Sequence, residues 1–205
     1  MSPWLALGLP ALSTGVAVLE ADAALVGQWL VSRPLVVGPL VGWAAGDPGL
    51  GAAMGALIEL FCLEELPVGS VVPPNGAVAA GCAVLLAAGP AGIPPAVALP
   101  VGLALGAAHG RLEARVRSWR AALTARALEA VVMENAVPWR RLWSQSIGVH
   151  VAVTAAFVYV AVAAGGELLD RALVFVPPAA SEGLDRVWRV APFLALGSLL
   201  QRLWR

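Results

Sequence analysis

Residues 32–82 read SRPLVVGPLVGWAAGDPGLGAAMGALIELFCLEELPVGSVVPPNGAVAAGC. The stretch is almost wholly apolar, yet it holds Arg33, Asp47, Glu59, Glu64, Glu65 and Asn75 among a series of Gly and Pro. A simple membrane anchor has no need of acids and helix breakers at such spacing. Irregular backbone and carboxylates survive at membrane depth where they line a cavity or a protein-protected site. The stretch therefore reads as a solute pathway.

The rest of the chain fits that setting. Of 205 residues, 60% are hydrophobic and 13% charged, and mean hydropathy is +0.82. This composition belongs to an all-α, multi-pass integral membrane protein. Net charge is zero, with 13 basic residues against 13 acids, so bulk charge calls for no nucleic-acid partner. Cys62 and Cys82 are isolated in apolar surroundings and read as buried thiols rather than a disulfide. The N-terminus lacks a basic leader region and a small-residue cleavage site, so its apolar stretch is expected to be a retained membrane segment.

A spanning helix needs ~20 apolar residues. Residues 4–19 approach that, interrupted by Pro10 and ended by Glu20 and Asp22. Residues 147–164 form the best single span, with His150 as the only ionisable group. Residues 35–46, 49–63, 76–88 and 96–108 are shorter and punctuated by Gly and Pro. Such a series points to re-entrant or broken helical hairpins. Residues 111–143 hold seven of the 13 Arg, with Leu112, Val116, Trp119, Leu123 and Ala127 at helical spacing. They read as an amphipathic helix ending near Pro138, on the cytoplasmic side by the positive-inside rule. A solvated connector and a lipid contact both fit it. Residues 165–186 read as a polar connection, and 190–200 as a short final apolar run flanked by Arg189, Arg202, Trp188 and Trp204. The chain is taken as one domain, 1–205, with a core region 30–108, a connector 109–146 and C-terminal membrane segments 147–205.

No enzyme constellation emerges. His109 and His150 have no Cys or carboxylate at metal-ligand spacing, and no phosphate-binding or nucleophile motif falls in a usable context. Neither a metal nor a cofactor is implied. Glu59 is the leading candidate for binding chemistry. It lies along an apolar helix, where a carboxylate costs on the order of 2.5–3.5 kcal/mol unless it lines a hydrated pocket or bonds a neighbouring helix end. Asn75, after Pro73-Pro74, suits either a helix cap or a solute contact. Asp47 before Pro48 reads as a turn or cap, and Glu64-Glu65 as a membrane boundary. Arg33 before Pro34 is a helix anchor or a partner for one of these acids. Gly51 and Gly55 fit close helix packing.

The run Arg33-Pro34-Leu35, Gly42, Gly46-Asp47, Gly49, Gly55, Glu59 and Pro74-Asn75 resembles the IIC subunit of mannose/sorbose-type sugar permeases of the bacterial phosphotransferase system. The pattern is specific over about residues 30–88 and weaker beyond. The resemblance implies a transporter subunit of the bacterial inner membrane rather than an enzyme. It implies pairing with a IID membrane subunit, trimers of such pairs, an elevator-like core movement, and phosphate delivered to the sugar by separate IIA and IIB proteins. By motif position, Glu59 and Asn75 would bind the sugar. Arg33, Pro34, Asp47, Gly49, Gly55 and Pro74 would shape the hairpin. Three features depart from the family pattern: Leu30 stands where a Gln is common, Asn75 where an acid is common, and the chain ends where relatives usually continue. Gln28 is two residues out of register with that Gln position. The alternative reading is a non-transporting regulatory or assembly partner of phosphotransferase proteins.

Overall fold

The computed structural model describes residues 2–26, 29–62, 74–134 and 136–204. Those residues form seven α-helices and no strand. They are α1 (Leu9–Ala21), α2 (Pro34–Ala45), α3 (Pro48–Cys62), α4 (Gly76–Ala88), α5 (Pro95–Val132), α6 (Trp139–Leu173) and α7 (Pro178–Leu203). Wider π-type turns, Trp4–Gly8 and Asp22–Val26, extend α1 at both ends. Leu63, Glu64, Glu65 and Gln28 lie outside the described residues.

The order is centred on α4. Its sequence, GAVAAGCAVLLAA, is apolar on every face, and such a helix must be enclosed. Ten of its residues, Ala77 through Leu86, are buried, and α1, α2, α3, α5 and α6 pack around it. Small residues set the approach distances. A Cβ on Gly102 of α5 would lie 2.6 Å from the Ala83 Cβ, and one on Gly81 would lie 2.7 Å from Val16 of α1.

Helices α2 and α3 form a hairpin. Gly46 closes α2 with φ +98°, a left-handed conformation that favours glycine. The Asp47 carboxylate then accepts the Leu50 N–H at 2.9 Å and caps α3. Along the seam glycine meets glycine: a Cβ on Gly38 would lie 2.8 Å from the Gly55 Cα, and one on Gly42 would lie 2.8 Å from the Gly51 Cα. At ~1.5 Å per residue the two helices rise about 18 and 22 Å. Over the described residues each is shorter than a ~30 Å hydrocarbon layer. Among the described residues two helices are long and apolar enough to cross a membrane: the N-terminal stretch Trp4–Ala21 and α6.

Three sequence expectations need correction. Residues 96–108 and the Arg-rich segment are one 38-residue helix, α5. The onset of charge at Arg111 changes the helix's surroundings, while its Ala, Leu, Arg and Glu all sustain helix. This helix ends at Val132, before Pro138, where Glu134 takes φ +54°. The polar connection is also shorter than 165–186, since α6 runs to Leu173 and α7 begins at Pro178. Pro10, read as an interruption, does not end the helix: Trp4–Gly8 and α1 run on as one stretch, with the wider π-type turns just before the proline.

Candidate functional site

A cavity of about 260 Å³ opens where the C-terminal ends of α1 and α3 meet the N-terminal ends of α2 and α4. Helix α5 supplies one further wall. The polar groups on the cavity are Glu20, Ser32, Arg33, Glu59, Asn75, Glu113 and Arg117. At this size it falls just below the usual range of ligand pockets, about 300 to 1,000 Å³.

The α2 side is built from a free helix end. Pro34 opens α2 after an extended Arg33, and the first backbone N–H groups of a helix have no acceptor of their own. Glu59 reaches across from α3 to fill that need. One carboxylate oxygen accepts the Arg33 Nη1–H at 2.8 Å, and the other accepts the Leu35 N–H at 3.4 Å. The acid therefore sits at the positive end of α2 and against a guanidinium. Both residues still face the cavity.

The α4 side is tighter. Asn75 accepts the Val78 N–H on Oδ1 at 3.0 Å and so caps α4. Its backbone N–H donates to the Gly106 carbonyl at 3.0 Å, tying the start of α4 to α5. A Cβ on Gly106 would lie 2.7 Å from the Asn75 carbonyl oxygen, so only glycine permits this approach. The Asn75 amide donates from Nδ2 to Glu20 Oε1 at 2.8 Å. A primary amide has two N–H donors and two lone pairs. One donor and one lone pair are left.

Glu20 is the residue that sequence reading missed as a site group. It was legible only as the end of an apolar run. It is 2% exposed, with one oxygen on the Asn75 amide and the other against His150 Nε2 of α6. Beside it, His109 of α5 places Nε2 3.0 Å from Thr154 Oγ1 and meets Phe157 edge-on, with ring centroids 5.2 Å apart. Glu113 of α5 is also buried and accepts two hydrogen bonds from Arg117, at 2.9 and 2.7 Å. The signal that could have found Glu20 was the coexistence of a lone acid and a lone histidine in two apolar segments. Isolated ionisable groups at membrane depth tend to pair.

The sequence-derived residues divide in two. Arg33, Pro34, Glu59, Pro74 and Asn75 come together on the cavity. Asp47 and Gly49 lie at the far turn of the hairpin, and Gly55 lies within its seam. A larger cavity, about 940 Å³, runs between the distal half of α5 and the start of α6. Leu123, Ala127, Leu128, Val131, Trp139 and Trp143 make it largely apolar, with Arg117 and Arg120 among its lining.

The model of the family described as the sorbose-specific IIC component of the phosphotransferase system matches residues 7–205. The chain belongs to that family. This IIC chain is thus a membrane component of a sugar phosphotransferase permease, as its hairpin motif suggested. Its fold is similar to a solved structure described only as a membrane protein. The two share 19% identity at a TM-score of 0.77, over 96% of this chain and 80% of that one. It is also similar to a chain in the cryo-electron-microscopy structure of the mannose transporter ManYZ with microcin E492. There the identity is 19% and the TM-score 0.69, over 95% of this chain and 79% of that one. No curated protein sequence matches significantly.

Proposed function

We propose that this IIC chain binds a monosaccharide in the 260 Å³ cavity and carries it across the bacterial inner membrane together with a IID-like subunit. The single observation that carries the reading is the convergence of Glu59, Asn75 and Arg33 on one monosaccharide-sized cavity in a member of a sugar-permease family. Carboxylate and amide groups suit sugar hydroxyls, which both donate and accept. The ManYZ likeness supports the IID-like partner and a mannose-type sugar. Phosphoryl transfer would fall to separate IIA and IIB proteins. The assembly would be a trimer of heterodimers.

The test is reconstitution. The chain is co-expressed with a neighbouring IID-like subunit, supplied with IIA, IIB, phosphoenolpyruvate and the general phosphocarrier proteins that load IIA from it, and offered a panel of hexoses and amino sugars. Accumulation of a sugar phosphate inside vesicles, lost in Glu59→Gln with the complex intact, is the expected result. An intact complex that neither binds nor phosphorylates any sugar would overturn the reading. That outcome would favour a regulatory or assembly partner instead, a reading that one observation supports. Each acid on the cavity already has a partner within the chain: Glu59 has Arg33, Glu113 has Arg117, and Glu20 has His150 and Asn75.

A further inference from the structure

We infer that Glu20 and His150 form a positioning pair that fixes the Asn75 amide, and thereby set how tightly and which solute the cavity takes. The inference rests on the sugar-binding reading above and deepens it.

Asn75 is a short side chain with two jobs. Its Oδ1 is committed to the Val78 N–H. That leaves the Nδ2 group to point away from the helix end, and Glu20 receives it at 2.8 Å. A carboxylate can only accept, so it holds the amide in the orientation that the Val78 N–H selects and opposes any rotation away from it. Glu20 is itself unable to turn away. It is 2% exposed, and its second oxygen is held by His150, which is equally buried. The chain of contacts therefore runs from α6 through α1 to the mouth of α4. It leaves the second Asn75 N–H as the fixed donor of the α4 side. The other charged or titratable groups on this side are His109, Glu113 and Arg117 of α5. Arg33 and Glu59 stand across the cavity.

Glu20 spans 55 residues to Asn75, and its partner His150 is 130 residues away. A cap on α4 needs neither: an asparagine caps through Oδ1 alone. A buried acid at this depth is costly without a role or a full set of partners. Glu20 has the partners, and at the cavity, which it also lines, they act together on the direction of one amide.

The chain has two asparagines, Asn75 and Asn135, so labelling asparagine with ¹⁵N in this chain alone, assembled with an unlabelled partner subunit, gives two side-chain amide pairs. In the purified complex, with Asn135→Gln assigning the signals, Glu20→Gln should shift and broaden the Asn75 pair before any sugar is added. Hexose affinity should fall about tenfold or more, the order expected when one charge-assisted hydrogen bond is lost. The swap Glu20→Gln with Asn75→Asp restores one amide and one carboxylate between the two positions while keeping a capping oxygen. It should recover thermal stability but change the ranking of neutral and amino sugars. An Asn75 signal unmoved by Glu20→Gln would overturn the inference. So would wild-type affinity in Glu20→Gln while Glu59→Gln loses binding. If wild type itself binds no sugar, the binding reading fails instead, and the Asn75 shift still reports on the positioning pair.

Discussion

The cavity at the helix ends and the groove between α5 and α6 differ in kind more than in size. The groove between α5 and α6 is the larger by more than threefold, about 940 against 260 Å³. It is walled mostly by leucine, alanine, valine and tryptophan, with Arg120 and the Arg117 that also borders the small cavity, on elements that present Leu128, Val131, Trp139 and Trp143 to the surroundings. The small cavity is formed by helix ends. There, free backbone donors and a cap draw in carboxylates, and each carboxylate draws in a cation or amide. Volume follows from how helices splay. A recognition site follows from where helix termini converge, because only there does the backbone demand polar side chains.

The same contrast orders the expected effects of mutation. The largest should come from the buried pair. His150→Leu strips Glu20 of a partner at 2% exposure, and breaking a buried pair costs about 3–5 kcal/mol. Thermal unfolding in detergent should show this as a large fall in midpoint, or as failure to accumulate. Next is the hairpin seam: Gly38→Val places a side chain against Gly55, and overpacking costs about 1–3 kcal/mol or more. The same unfolding assay should register it, with loss of sugar binding because α2 and α3 carry Arg33 and Glu59 to the cavity. Asp47→Ala removes the cap of α3, worth about 0.5–2 kcal/mol. Its effect should appear in stability and leave sugar affinity nearly unchanged, since Asp47 lies at the far turn. The smallest effect belongs to the groove. Thr124→Trp on its exposed wall should leave both stability and sugar binding close to wild type. Loss of binding there would erase the distinction between the two cavities.

The hairpin was the legible part of this molecule. Pro34, Asp47, Gly51, Gly55 and Glu59 declare themselves by local rules: a proline at a helix start, an acid before a proline at a turn, small residues at close packing, a carboxylate within an apolar run. Asn75 was legible as a residue with two possible tasks, and the structure shows it capping α4 while also donating to Glu20. The pairing of Arg33 with Glu59 was foreseeable as a charge in search of a partner. Glu20 was legible only as an acid at the end of an apolar run, because its partners lie 55 and 130 residues away and an acid and a histidine in separate segments do not name each other. The length of α5 was not legible, since a change from apolar to charged residues marks a change of environment without marking a helix end.

The most direct test compares the two cavities on one protein. Hexose titrations of the purified complex would be run on wild type, Glu59→Gln and Thr124→Trp. Saturable binding in wild type and Thr124→Trp, lost in Glu59→Gln, is the predicted result. Binding retained in Glu59→Gln but lost in Thr124→Trp would place the solute in the groove and contradict the account.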